Sequence, residues 1–471
     1  MRPTDLAAAL VVALAVGLAL LTDVVPRSEP ESAPVARSVP VESATLVCPP
    51  AQDAETAAVT AAAPRIPNPS DLPRSPVRIG TARGSLARLD DRGTAWSGSG
   101  PQIARGVRVS ADGALAGGLS AASAASFDGG NRRGLATASC NPPGPHWWFV
   151  GTASTPERSS VLNLTNPTTG VTVADLSFYG PNGPLESAAE QGLAIAPGET
   201  TALRLAELVP GAESVSVEVT ARQGQVAASL DETTSDLLDP AGVEDVPPAA
   251  EPRRSVAMTG VPGGPGERTL SVVNPGASTA VVGVEVLGAR GAFTPSALED
   301  VTVPAGSTVQ TEVPRGVVDA EPAGIRLTAD RPVTASLRTG SGSPLQDQSF
   351  AVSAEEVDDT AVAPLLPRLD GDLVLSGAGR TALTVDVVTS AADGRSLGRR
   401  TLDIRGGQTR TVDVGGGPAA FVTVRRSGSG PLVASMTWSR ADASGELRSA
   451  YPLAPLRVRI DQPPVEYAPA P

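Results

Sequence analysis

The chain has 471 residues, enough for three or four domains, and 41% of them are hydrophobic, so real cores can form. A net charge of −13 works against nucleic acid and anionic lipid surfaces as partners, because both need clustered cations to release counterions. Aromatics make up only 3%, so the cores must be built from Val, Leu, Ala and Ile.

In chain order, Leu6 to Leu21 is an uncharged apolar run preceded by Arg2. It is short for a full span, which needs about 20 residues, and no small-x-small cleavage site follows it. Residues 1–25 therefore read as an uncleaved single-pass anchor, with the bulk of the chain extracytoplasmic. A cleaved signal peptide is the alternative. Residues 26–44 are rich in Pro, Ser, Glu and Val without any period, and read as a disordered spacer. Leu46-Val47-Cys48 reads as a first strand, and the Ala-rich stretch Gln52 to Ala63 as a short helix. The two cysteines, Cys48 and Cys140, fit an oxidising exterior. A bridge between them would contribute about 4–5 kcal/mol in the chain-entropy model.

From Val161 onward three signals repeat. Val161 to Thr165 followed by Asn166-Pro167, the turn Pro197-Gly198, and Val226 to Leu230 recur about 108 residues later. There they read Leu270 to Asn274-Pro275, Pro304-Ala305-Gly306, and Val333 to Leu337. A weaker copy reads Leu373 to Ser376, Gly406-Gly407, and Val433 to Met436. Within the copies, Val215-Ser216-Val217-Glu218-Val219-Thr220 alternates as a half-buried antiparallel strand does. Each copy offers about seven short strands in about 100 residues, the pattern of an immunoglobulin-like sandwich. The expected fold is all-β: tandem immunoglobulin-like β-sandwich modules behind one N-terminal transmembrane helix. The expected division is a small degenerate β domain over 45–143, repeats over 144–236, 254–354 and 362–460, and a disordered tail over 461–471. Acidic, Pro-rich joints are expected at 236–253 and around Glu355 to Asp359.

Few residues suggest chemistry. His146 is the only histidine, and it has no neighbouring Cys or His with which to build a metal site or triad. The acidic pairs Asp90-Asp91, Glu355-Glu356 and Asp358-Asp359 read as solvated turns. Calcium at the joints would draw on Asp236, Asp239, Glu244 and Asp245, or on Glu355 to Asp359. The regular Asp spacing of a calcium loop is missing, however. No nucleotide, nucleophile-elbow or zinc motif is present, so no catalytic residue, cofactor or metal is assigned. Trp147 and Trp148 lie in the densest aromatic group, His146 to Gly151. Alternation places them on opposite faces of a strand. One should fill a core; the other is a candidate contact for a sugar ring or partner protein.

The amino-terminal anchor, Cys140-Asn141-Pro142-Pro143, Trp147 to Gly151, Leu162-x-Leu164-x-Asn166-Pro167 and the Pro197-Gly198 turn together resemble an actinobacterial family of unknown function, number 5719 among such domains. The third repeat departs from the pattern, because it lacks Asn-Pro. The resemblance implies an anchored envelope protein without assigned catalysis. It also points to envelope polysaccharide work, because members are often encoded near glycosyltransferases. The reading is therefore a non-catalytic scaffold or binding protein of the cell envelope, attached to the membrane by its N-terminal helix, with an envelope protein or glycan as partner. Its alternatives are a carbohydrate-binding accessory to polysaccharide assembly and an envelope hydrolase. The hydrolase would need converging carboxylates in a cleft between modules.

Overall fold

A computed structural model describes residues 37–66, 72–129, 132–187, 191–236, 239–264, 266–318, 321–340, 347–415, 417–442 and 445–462. The expected anchor, the spacer up to residue 36 and the tail beyond residue 462 lie outside them. Among the described residues no helix is long and apolar enough to cross a membrane.

Two units are distinct. In the smaller, Arg37–Pro40 pairs with Arg459–Gln462 as a two-stranded ribbon. The Arg459 guanidinium donates to the hydroxyl and the carbonyl of Ser38. This corrects the disordered reading of residues 37–44 and 461–462. Ser43–Val47, at the start of the larger unit, is likewise a strand. The ribbon's partner lies at the other end of the chain, so no local signal marks it.

The larger unit, Pro40–Val458, is nearly all antiparallel β, in paired sheets consistent with β-sandwiches. Four pairs of sheets share one connectivity among the described residues. Their strands span Ser43–Ser139, His146–Val246, Arg253–Val352 and Thr360–Pro452, called modules one to four below. In each, one sheet runs first–sixth–third–fourth strand and the other fifth–second–seventh–eighth, the fourth being two short segments in module two (Gly183–Leu185 and Leu193–Ile195) and in module three (Gly291–Phe293 and Val301–Val303). Module three merges its sixth and seventh strands into Ala323–Gly340, which passes from one sheet to the other. An eighth strand goes beyond the seven expected. In module two it is Asp239–Val246, inside the stretch read as an acidic joint. Pairing with Ala227–Asp236 gives its polar residues an ordered place.

Each pair of sheets encloses its own apolar cluster. The cluster of module one is rich in Ala, and Cys48 and Cys140 belong to it. The two are joined by a disulfide across a separation of 92 residues. It fastens the end of the first strand to the end of the eighth, beside reciprocal backbone bonds between Val47 and Asn141. The expected helix over Gln52 to Ala63 is instead the strand Thr56–Ala63. Alanine favours helix locally, but this stretch carries the β-branched Thr56, Val59 and Thr60, and both its edges are taken by Thr94–Ser99 and Ser120–Gly129.

The repeated Asn serves the turn rather than a ligand. Asn166 and Asn274 are fully buried. Their amides donate to Gly170 O and Ile195 O, and to Ser278 O and Val303 O, respectively. Their carbonyls accept the N–H two residues on. A buried polar group must be satisfied in this way, and only a short amide side chain reaches both sides of the turn.

Successive modules pack one against the next, and the fourth closes onto the first. Three contacts share a device in which a hydroxyl donates to a carbonyl of the neighbour's first strand. Ser336 reaches Val150 O at 2.6 Å, Ser435 reaches Thr259 O at 2.9 Å, and Ser120 reaches Val362 O at 3.0 Å. Thr308 to Tyr179 O and Thr409 to Leu287 O add a second row to the first two of these contacts. Modules one and two meet differently, through Ala125, Phe127, Ala136 and Val243 and through the Arg132–Asp231 ion pair at 3.8 Å.

Candidate functional site

The aromatic strand His146–Thr152 pairs with Val215–Gln223, with Trp147 opposite Val219, Trp148 opposite Glu218 and Phe149 opposite Val217. Phe149 enters the module core and is fully buried. Trp148, on the other face, is only 2% exposed. The ring of Tyr179 stacks on it with centroids 5.5 Å apart, and Ala249 N–H donates to its carbonyl. Its indole N–H donates to Glu251 at 3.3 Å. Trp147 is half-buried and donates its indole N–H to Val226 O at 2.8 Å. Of the pair, Trp147 keeps the accessible ring surface. His146 is exposed, with Nδ1 3.4 Å from the Thr220 hydroxyl.

The same strand carries a bulge between Phe149 and Thr152, where Gly151 has φ 76°. A Cβ at Gly151 would lie 2.3 Å from Ser271 Oγ of module three. Glycine here combines the left-handed backbone with a close approach of the two modules.

The eighth strands meet at the centre of the larger unit. Arg132–Ser139 packs against both Asp239–Val246 and Gly445–Pro452, and Gln348–Val352 packs against the same two strands. They surround one fully buried carboxylate, Asp347. Its Oδ1 accepts the N–H of Gln348 at 2.9 Å and of Val243 at 3.4 Å. Its Oδ2 accepts the N–H of Arg448 at 2.9 Å and of Leu135 at 3.2 Å. Each module thus lends one backbone donor. Two glycines make room: a Cβ at Gly134 would lie 2.7 Å from Asp347 Oδ1, and one at Gly242 would lie 2.8 Å from Gln348 N.

Other acids gather around it. Glu244 is fully buried and accepts the Ser449 hydroxyl, and that oxygen in turn accepts the Thr137 N–H at 2.8 Å. Asp245 stands directly across the ladder from Asp231. Burial pushes the Asp347 carboxyl up to about 7, against the pull of its four amides. Burial, and then the charge on Asp231, pushes Asp245 up to about 8, while Arg132 opposes both. Burial holds Glu244 well above the carboxylate range, with Asp347 and Asp245 adding to it and Ser449 opposing it.

This arrangement is a clasp. Backbone N–H groups from all four modules hold the Asp347 carboxylate, which is shut away from solvent. Among the described residues, no three or more His, Cys, Asp or Glu side chains converge to hold a metal ion. Of the acids considered for calcium, Glu244 and Asp245 come to this centre, while Glu355 pairs outward with Arg457. Asp347 itself escaped sequence reasoning. Its one trace is an acid placed directly before the strand Gln348–Val352, and nothing local separates that from a solvated turn.

A family model described as "Family of unknown function (DUF5719)" matches residues 94–415, from the fifth strand of module one into module four. Comparison with curated proteins finds no match.

Proposed function

The chain belongs to this family of unknown function, and from that premise we propose that it is a membrane-anchored, extracytoplasmic, non-catalytic scaffold or binding protein of the bacterial cell envelope. The observation that carries this reading is the Asp347 clasp. One carboxylate ties four modules into a single body, which suits a platform that must hold binding surfaces at fixed spacing. The Cys48–Cys140 bridge fits an oxidising compartment, and the run Leu6 to Leu21 supplies the anchor. In this reading each module is an immunoglobulin-like sandwich, and partners dock on the surface left outside the junctions. The buried state of Asp347 and Glu244 speaks against hydrolysis, since a general acid must reach its substrate. A carbohydrate-binding accessory role is the second reading, supported by the accessible part of Trp147.

Cross-linking of intact cells, followed by capture of the full chain from solubilised membranes, tests the proposal. A reproducible envelope enzyme or envelope protein in the eluate is the expected result. Glycan retained on the chain without a protein partner would replace the scaffold reading with the carbohydrate one. Neither partner nor glycan would remove both.

A further inference from the structure

We propose that a cleft between modules one and four binds a small ligand carrying two or more phosphate or carboxylate groups. The cleft measures about 420 Å³, within the roughly 300–1,000 Å³ typical of small-molecule sites. Its floor is the outer face of the fourth module's first sheet. There Arg399, Val388 and Thr423 form one cross-strand row, and Thr401, Asp386 and Arg425 form the next. Residues two apart on a strand share a face, so the rows lie about 7 Å apart. Arg395 and, from module one, Arg65 complete the wall, and Phe421 lies at the base.

The charge is what distinguishes this place. The chain carries −13 overall, yet four guanidiniums and a single carboxylate line the cleft. Asp386 already accepts the Thr401 hydroxyl at 2.6 Å. Arg395 reaches Asp393 only at 3.9 Å. Arg65, Arg399 and Arg425 have no carboxylate within ion-pair distance among the described residues. Unpaired guanidiniums converging on a concavity offer the fork geometry that phosphate and carboxylate accept bidentately. The net charge of −13 works against such a ligand over the chain as a whole, so a cluster of cations is where it would be held.

The cleft is built by the closure of module four onto module one. The N–H of Ala95 donates to Ala392 O at 2.9 Å across the junction. Gly394 has φ 78°, and a Cβ on it would lie 2.2 Å from Gly93 O. Only glycine permits that backbone contact, which sets Arg395 beside Arg65 on the rim. The inference gives the proposed binding role a ligand chemistry, and it can fail without the scaffold reading failing.

The test is titration calorimetry on the purified full chain at low ionic strength, with inorganic pyrophosphate and with citrate as probes. At least one should bind, and the triple variant Arg65→Gln, Arg399→Gln, Arg425→Gln should weaken it by about tenfold or more. Arg315→Gln, at an exposed arginine of module three, should leave binding unchanged. The three substituted arginines are exposed, so melting temperatures should not move. Ser396→Glu, an exposed cleft residue, supplies an independent variant that should abolish binding by adding a negative charge. Binding of pyrophosphate alone assigns a phosphorylated ligand, and citrate alone a polycarboxylate. Binding of neither probe, or equal binding by the triple variant and by Ser396→Glu, overturns the proposal. Cross-linking in cells reports on the scaffold reading separately.

Discussion

Where module three meets module two, the hydroxyls of Ser336 and Thr308 donate hydrogen bonds to the carbonyls of Val150 and Tyr179. Where module two meets module one, Arg132 faces Asp231, with Asp245 across the ladder from it. The first kind of contact is neutral and short, and it repeats at the next junction through Ser435 and Thr409. The second is ionic, longer and dependent on protonation. Neutral bonds between sheets hold at any pH and salt, whereas a cation set against two crowded acids changes strength as they titrate. The difference implies that the four modules are bound by one common clasp but separated most easily along one seam.

The largest expected effect breaks the clasp itself. Asp347→Ala leaves the N–H groups of Leu135, Val243, Gln348 and Arg448 without their acceptor, at about 1–3 kcal/mol for each buried orphan. Urea unfolding should show a large loss of stability, and native-state proteolysis should cut between modules at every junction. An unchanged midpoint would remove the clasp from the account.

Next comes the disulfide. Reducing Cys48–Cys140 should cost about 4–5 kcal/mol, concentrated in module one, whose Ala-rich core has little else to replace it. Hydrogen exchange should then open module one and its seam with module two before modules three and four. Uniform loss of protection would mean that the modules do not differ.

The seam, through Asp245, and the clasp, through Asp347, should also respond to pH. Asp245 and Asp347 have folded values raised to about 8 and about 7, above those of the unfolded chain. A raised acid binds more protons folded than unfolded. Its stabilisation is therefore complete below the unfolded carboxylate value and is lost as pH rises through about 7 and about 8. Melting temperature should fall between pH 5 and pH 9, and Asp245→Asn should flatten part of that slope. A melting temperature that rises with pH over this window would reverse the assignment.

The smallest effects separate the two kinds of contact. Ser336→Ala and Ser435→Ala should each cost about 1 kcal/mol and add, because they lie at different junctions. Their cost should not change between low and high salt. Arg132→Gln should cost about 1 kcal/mol, because it also removes the cation over the Phe127 ring, and added salt should narrow the difference without abolishing it.

Several of these residues stand out in the amino-acid sequence itself. The Asn-Pro signals and the Ala-Ser closing strands were legible because turn chemistry and alternation are local. Ser336 and Ser435 sit inside those repeated strands, yet alternation alone cannot say that their hydroxyls cross to another module. Trp148 shows the same limit. Period-two spacing fixed its face, but Tyr179, Ala249 and Glu251 cover it from positions far along the chain. The strand Thr56–Ala63 shows the reverse case, in which two pairing partners overrode an Ala-rich helical preference.

By itself the sequence determined the β architecture, its period of about 108 residues and the pairing expected of its two cysteines. These follow from local patterning and from counting, which need no knowledge of neighbours. Tertiary structure alone decided that four sheet pairs close on one another, that Asp347 lies where they meet, and that Arg65 joins Arg399 and Arg425 around one cleft. Each of those facts depends on residues hundreds of positions apart. No local propensity carries such information, because it arises only when the modules bury their surfaces against each other.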